Sequence, residues 1–454
     1  MTVLLYTLGV LFFVLAILVS IGLHELGHLV PARAFGGKVT QYFVGFGPTV
    51  WSKQVGETEY GVKAVPLGGY VKIVGMLPPG ADDLAEPAGH DELGRPVHRV
   101  RKSNTGMFTQ LISDARAAEW ELVGPEDTDR LFYRMAWWKK VIVMAGGPTV
   151  NIAIALAIFA TIFATYGNPA DQRTVGTQIA EVSACVLPYD ESDRACEAAD
   201  PTAPAAEAGL RPGDVVTSFN GTEVTDWPQL QGLIRDNSSG AAELTWTRDG
   251  EPMSGTTDTT VQARPGTGED VDPARLTEVG FLGVSPVVEP TTGGLVYTLG
   301  EMGEMTVQTA EALVMLPARV FDVGQAILGL EERDPESPVS VVGGGRIAGE
   351  TASTDLIPGT DKLVFLFLLV AGFNFFIGAL NLVPLLPLDG GHIAGALYEA
   401  GRRGVARLRR RPDPGYADVA KMLPVAYVVA GALLVMGVVL IIGDIVVPLS
   451  AFPD

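Results

Sequence analysis

Two imidazoles and a carboxylate stand together early in the chain, in the run "SIGLHELGH" that holds His24, Glu25 and His28. Helical residues four apart share a face, so His24 and His28 can present two rings to one metal ion with Glu25 beside them. A bound Zn²⁺ lowers the pKa of water from 15.7 toward about 7, and a neighbouring carboxylate can take the proton as hydroxide attacks a carbonyl. Glu25 is the candidate general base of such a hydrolysis. A catalytic zinc usually has three protein ligands, so one more must come from elsewhere. The stretch "FNFFIGALNLVPLLPLDGGHIAGAL" carries Asn374, Asn381, Pro384, Pro387, Asp389 and His392 in otherwise apolar sequence. Only Asp389 and His392 among these are ligand types.

Both motifs sit in segments apolar enough to lie in lipid. The chain has 454 residues, 47% of them hydrophobic, and a net charge of −20, with a mean hydropathy of +0.28. That is too apolar for a soluble acidic protein, so the two properties belong to different regions. Four stretches, 3–30, 141–166, 363–388 and 422–447, reach the roughly 20 residues needed to span a bilayer. No Lys or Arg precedes Arg33, and the first apolar run exceeds the core of a signal peptide, so it is read as a retained span. Ionisable residues inside a membrane are costly and therefore functional by default.

Charge sets the expected orientation. Lys and Arg crowd the segments between spans one and two and between spans three and four, while 167–360 contains no lysine and many acids. The basic loops are read as cytoplasmic, with the acidic segment and both termini outside; Trp137 and Trp138 suit an interfacial belt. Spans one and three then run the same way and carry their polar motifs at their cytoplasmic ends. His24 lies about 30 Å beyond Val3 at 1.5 Å per residue, which agrees. Pro384 and Pro387 disrupt the helix before Asp389, and Gly390 and Gly391 permit a turn after it. Irregular backbone at that depth is tolerated where it lines a cavity, and such a cavity admits water. Asn381 can donate to substrate backbone or a developing oxyanion, or can bond between helices.

Elsewhere, 41–76 is β-rich between Gly and Pro punctuation and reads as short strands and tight turns. Residues 77–128 are rich in Pro, Gly and charge and read as a flexible cytosolic insert, with His90 and His98 as solvated loop histidines. The acidic segment holds a small β-rich region over 175–264 and helical spacing over 297–330, an amphipathic helix. Cys185 and Cys196 bracket a polar loop there, and an oxidising exterior favours a disulfide. Arginines at 402–411 read as a topology anchor that also suits anionic lipid. Nothing supports nucleic-acid binding.

Together "HELGH", "GFGP" at 45–48, "PLGGYVKIVG" at 66–75, "AGGPTVN" at 145–151, "AGLRPGDVV" and "NLVPLLPLDGGH" at 381–392 resemble the site-2 protease family. The order resembles the bacterial regulator-of-sigma-E type, particularly its actinobacterial members. The resemblance implies a polytopic α-helical membrane protein with four transmembrane helices, a membrane-associated cytoplasmic β-hairpin or sheet, and one extracytoplasmic PDZ-like β-rich domain. The expected divisions are a first span with HExxH (1–36), a membrane-associated β-region (37–76), a cytoplasmic insert (77–136) and a second span (137–166). There follow the PDZ-like domain (167–280), a region with the amphipathic helix (281–360), a third span with the LDG motif (361–395), a basic loop (396–420), and a fourth span with its tail (421–454).

The activity implied is that of a zinc-dependent intramembrane endopeptidase, multi-pass in the cytoplasmic membrane. Its substrates would be single-pass membrane proteins such as anti-sigma factors, cut within or near their membrane segment after another protease has removed their external domain. By the family pattern His24, His28 and Asp389 bind Zn²⁺, Glu25 activates water, Asn381 contacts substrate, and His392 is a neighbour. The same pattern makes 60–75 a hairpin whose edge, Gly68, Gly69, Tyr70, Val71, Lys72, Ile73 and Val74, pairs with unwound substrate. The stretch 336–350 resembles the family segment before span three, with no role assigned. Two other readings are a non-proteolytic PDZ scaffold with a structural zinc and a metal-ion transporter. The first is disfavoured by Glu25, which a structural site has no use for; the second by the PDZ-like segment.

Overall fold

The computed structural model describes residues 2–78, 86–90, 96–99, 107–120, 123–191, 194–238, 240–266 and 275–450. The chain forms two units, one of Met1–Thr161 with Leu295–Asp454 and one of Ile162–Gly294.

The first unit opens with helix α1 (Thr2–Ala34), followed by strands β1 (Val39–Val55) and β2 (Thr58–Ile73). These are two long strands, not the several short ones expected. Glycines at 45, 47 and 68 take positive φ, which lets the strands bend without breaking. Each strand thereby pairs twice. Tyr42 has Val71 on one side and Tyr60 on the other, while Trp51 faces Val62 and Val55 faces Thr58 across a tight turn. Gly69 to Ile73 form one rim of this layer, with a strand partner on one side only among the described residues.

Strands β3 (Glu86–His90) and β4 (Pro96–Arg99) pair next, and helix α2 (Met107–Trp120) follows. The expected loop histidines, His90 and His98, fall in these two strands, and their side chains lie outside the described residues. So do 79–85, 91–95, 100–106 and 121–122 of the insert. Its described helical part is tied down at two points. Glu119 Oε1 accepts the backbone N–H groups of Gly75 and Met76 at 2.8 and 3.2 Å, and Arg116 grips both carboxylate oxygens of Asp418 at 2.6 and 2.7 Å. Fixed partners of this kind, which composition does not reveal, are what the reading of 77–128 as flexible overlooked. Helix α3 (Trp137–Thr165) completes this part of the chain.

The second unit is β-rich. Strand β5 (Asn168–Val182), the short helix α4 (Pro204–Glu207), β6 (Val215–Phe219), β7 (Thr222–Glu223), helix α5 (Trp227–Asp236), β8 (Gly240–Arg248), β9 (Glu251–Pro265), β10 (Leu276–Phe281) and β11 (Val284–Thr291) follow in order. Six strands lie in the order β10-β9-β8-β6-β5-β11, with β7 pairing β6. Inward residues Ile179, Val216, Phe219, Leu244 and Trp246 meet Trp227, Leu230 and Ile234 of α5 in a core. Asp226 caps α5 by accepting from Gln229 N–H at 2.9 Å, with Pro228 in the first turn. Cys185 and Cys196 are joined as a disulfide.

The chain then returns to the first unit through α6 (Leu295–Ile327), α7 (Val341–Ser353), α8 (Gly359–Asn381), α9 (Asp389–Leu408) and α10 (Leu423–Val446). Only one helix was anticipated over 281–360. Helix α7 was hidden by four glycines, a composition that reads as loop. Close packing explains three of them: a Cβ at Gly343 would stand 2.5 Å from Asp444 Oδ2, one at Gly344 2.8 Å from Phe13 Cζ, and one at Gly349 2.7 Å from Tyr6 Cε2. The expected basic loop at 396–420 is likewise helical as far as Leu408. Among the described residues, four helices are long and apolar enough to cross a membrane: α1, α3, α8, and α10 with its preceding turn.

Candidate metal centre

Helix α1 meets α3 where glycine faces glycine. A Cβ on Gly27 or on Gly146 would strike the other's carbonyl oxygen, so only glycine lets the backbones approach this closely. The approach brings α3 against the α1 histidines and lets it hold both rings. His28 Nδ1 lies 2.8 Å from the Val143 carbonyl oxygen, and His24 Nδ1 lies 2.9 Å from Asn151 Oδ1. Oxygen acceptors on Nδ1 put the proton there and leave each Nε2 lone pair free. The two Nε2 atoms face each other at 3.2 Å. Gly147 sits beneath them: a Cβ there would stand 2.7 Å from His24 Nε2 and closer still to His28 Nε2.

The third donor arrives on a broken helix. Helix α8 ends at Asn381, ahead of Pro384 and Pro387, which supply no N–H and disfavour helix before them. Helix α9 then starts at Asp389, an acid in the first turn where the helix dipole favours it. The predicted turn at Gly390 and Gly391 is absent, since both are helical. They serve close contact instead: a Cβ at Gly390 would collide with the Leu382 and Val383 carbonyls, and one at Gly391 would lie 2.5 Å from Leu386 N. Helix α9 is thus seated against the irregular segment, and Asp389 Oδ2 lies 3.4 Å from His24 Nε2 and 3.3 Å from His28 Nε2.

The three donor atoms make a nearly equilateral triangle. Tetrahedral zinc with bonds of 2.0–2.1 Å requires ligand separations of about 3.3–3.4 Å, so the donor set fits that ion. Among the described residues, these three are the one group of His, Cys, Asp or Glu donors close enough to share a metal. His392 is not in it, though it lines the same cavity. Two inward lone pairs and a carboxylate aimed at one point form a site for a cation.

That cavity, of about 620 Å³, is also lined by Glu25, Asn381 and the β2 rim from Gly68 to Val71, with an apolar wall of Ile17, Phe373, Ile377 and Leu380. Glu25 is 9% exposed. A Cβ at Gly69 would stand 2.9 Å from Glu25 Cγ, so glycine lets the rim come this close, and the Val71 N–H is directed at the Glu25 carboxylate. Tyr42 donates its hydroxyl to the Gly22 carbonyl at 2.7 Å, tying β1 to α1 just before the histidines.

Not every anticipated residue joins the site. Val74 is 2% exposed and its backbone is already used, its N–H on the Lys38 carbonyl at 2.9 Å and its carbonyl accepting from Phe132 N–H at 3.0 Å. It has nothing left for a substrate strand. Ile73 lines the cavity but packs its side chain in the core with Leu29, Val39 and Val143. Lys72 turns its carbonyl toward Thr40 Oγ1, on the β1 side. Asn374 is fully buried and donates to the Val370 carbonyl at 2.8 Å within its own helix. The residues that sequence reasoning passed over are Asn151, Val143 and Gly147 on α3. The available signal was "AGGPTVN", an amide and a glycine pair inside an apolar span.

Comparison with known proteins places this arrangement. The model of peptidase family M50 matches residues 12–412. The chain is 35% identical over 454 residues to Zinc metalloprotease Rip1 of Mycobacterium tuberculosis, covering 98% of this chain and 99% of that one. The protein of the same name from Mycolicibacterium smegmatis is 34% identical over 457 residues, with the same coverage. Metalloprotease MmpA of Caulobacter vibrioides is 25% identical over 399 residues, 86% of this chain and 85% of that one. With its apolar helices and its zinc-shaped donor triangle, the chain belongs to peptidase family M50, the site-2 proteases, as an intramembrane zinc metalloprotease.

Proposed function

We propose that His24, His28 and Asp389 hold the zinc ion and that Glu25 is the base that takes the proton from the attacking water. The observation that carries this reading is the donor triangle of 3.2, 3.3 and 3.4 Å beside a buried carboxylate in a cavity. When bound, zinc supplies Lewis acidity that polarises the scissile carbonyl and brings the pKa of water toward about 7. Glu25 stores the proton and returns it to the leaving nitrogen. Asn381, on the cavity wall, donates to the carbonyl oxygen as charge develops there. The apolar wall excludes bulk water and seats an apolar segment.

A membrane-embedded substrate helix keeps its carbonyls in its own ladder and must be unwound before attack. The β2 rim from Gly68 to Val71 offers replacement hydrogen bonds by strand addition. Val71 stands on this rim beside the base, its N–H directed at the Glu25 carboxylate. The second unit reads as a PDZ-like extracytoplasmic domain. Its support is a compact sheet with α5 across it and the excess of acids over bases in its sequence. Both termini are then extracytoplasmic, the metal centre lies near the cytoplasmic face, and the substrates are single-pass membrane proteins such as anti-sigma factors, already trimmed outside.

Cleavage of a truncated single-pass substrate in proteoliposomes tests the assignment. Wild type cleaves, and Glu25→Gln loses about a hundredfold or more of the rate, the usual scale of general-base catalysis. Equal rates would overturn it.

A further inference from the structure

Away from the cavity, Lys140 of α3 and Glu399 of α9 form an ion pair of 2.7 Å whose side chains are 7% and 1% exposed. Taking two charges out of water costs several kcal/mol per ion, which makes such a pair a poor device for stability alone. Its surroundings show it to be built. Glu399 Oε2 also accepts from Ala417 N–H at 3.2 Å, and Arg403 approaches Oε1 at 3.3 Å. The Tyr416 ring receives Lys140 Nζ at 5.2 Å and Arg403 Cζ at 4.9 Å from its centre. Asp413 approaches Arg403 Nε at 3.4 Å. Three segments, the start of α3, the middle of α9 and the stretch before α10, converge on one carboxylate.

The two partners stand on the two elements that build the metal centre. Lys140 precedes Val143 by three positions, the residue whose carbonyl orients His28, and Asn151 further along α3 orients His24. Glu399 is ten residues beyond Asp389 on α9, about 15 Å along a rigid helix. Helix α9 is held by the glycine seat at its N-terminus and by the ion pair in its middle, with Ile393 packed against the cluster of Leu29 and Val143 between them. Without the ion pair the middle of α9 loses its charged tie to α3, and a small change of tilt there moves Asp389 relative to the imidazoles.

We infer that the buried Lys140–Glu399 pair is a positioning device for the metal centre: it fixes the tilt of α9 on α3 and so sets Asp389 Oδ2 at ligating distance from His24 and His28. This rests on the proposed ligand set. Neither residue touches substrate or the reacting atoms, and both act through Asp389.

The test uses the full chain, purified in detergent, with zinc affinity measured by chelator competition and ligand geometry read from the visible absorption of the cobalt-substituted protein. Glu399→Gln and Lys140→Met are expected to weaken zinc binding about tenfold or more, the scale of orienting partners around metal ligands, and to alter the cobalt spectrum. Lys140→Arg keeps the charge pair and is expected to retain both. The apolar pair Lys140→Met with Glu399→Leu is expected to recover thermal stability without recovering the cobalt spectrum. Wild-type zinc affinity and an unchanged spectrum in Lys140→Met and Glu399→Gln, whatever their melting temperatures, would overturn the inference. Should one of the two not fold, the other decides. A wild-type protein without stoichiometric zinc would instead overturn the ligand assignment beneath it.

Discussion

Asn151 Oδ1 lies 2.9 Å from His24 Nδ1, joining the second membrane helix to the first at the point where the imidazole must choose its tautomer. The amide oxygen holds the proton on Nδ1 and turns Nε2 toward Asp389. Asn151→Leu keeps the size and removes the acceptor. It is expected to lower zinc affinity about tenfold or more by chelator competition. Unchanged affinity would show that packing alone orients the ring.

Gly147 makes a sharper demand, because a methyl group there would occupy the space of the imidazole nitrogens. Gly147→Ala improves intrinsic helix propensity by about 1 kcal/mol, so the helix itself should not weaken. The expected outcome is protein with wild-type helix content by circular dichroism and without bound zinc. Stoichiometric zinc in this variant would contradict the geometry.

Proline at 71 separates pairing from folding. Val71 directs its N–H at the Glu25 carboxylate rather than toward β1, so Val71→Pro removes an outward donor, and with it a hydrogen bond to the general base, while sparing the ladder. Substrate cleavage is expected to fall at least tenfold with zinc content unchanged. Ile73→Pro is the wrong probe, because Ile73 is 2% exposed in the core. Loss of zinc in Val71→Pro would assign the rim a packing role.

In the second unit, Asp214 is nearly fully buried and accepts from Arg248 Nε and Nη2 at 2.8 Å each and from Arg211 N–H at 2.7 Å. Burial pushes its carboxyl up, but these hydrogen bonds outweigh burial and hold it below the usual range. A depressed carboxylate stabilises the fold above its unfolded value of about 3.9, and the contribution is lost as pH falls below that value. Hydrogen-exchange protection of β6 is expected to stay level from about pH 7 to about pH 5 and then to decline. Asp214→Asn should abolish that added decline; an identical profile in the variant would contradict the assignment.

The sequence made the chemistry legible and hid its supports. His24, Glu25, His28 and Asp389 stand out because ionisable residues in apolar runs are rare, and helical spacing already puts the two histidines on one face. Val143 was not readable, since a carbonyl has no sequence signature; Asn151 was visible in "AGGPTVN", but one amide in a span has several uses. Glycines hid helices. Gly390 and Gly391 read as a turn, and the run with Gly343, Gly344 and Gly349 gave no helix signal, yet all lie in helices where a missing Cβ permits close contact. The β1–β2 layer was legible as strand, but its doubled pairing was not, because register depends on which glycines bend.

Zinc content across three purified full-length proteins tests the account most directly. Wild type and His392→Ala are expected to carry stoichiometric zinc, and Asp389→Ala to carry none. Retention of zinc by Asp389→Ala, with its loss from His392→Ala, would contradict the convergence of His24, His28 and Asp389 on which the proposed chemistry rests.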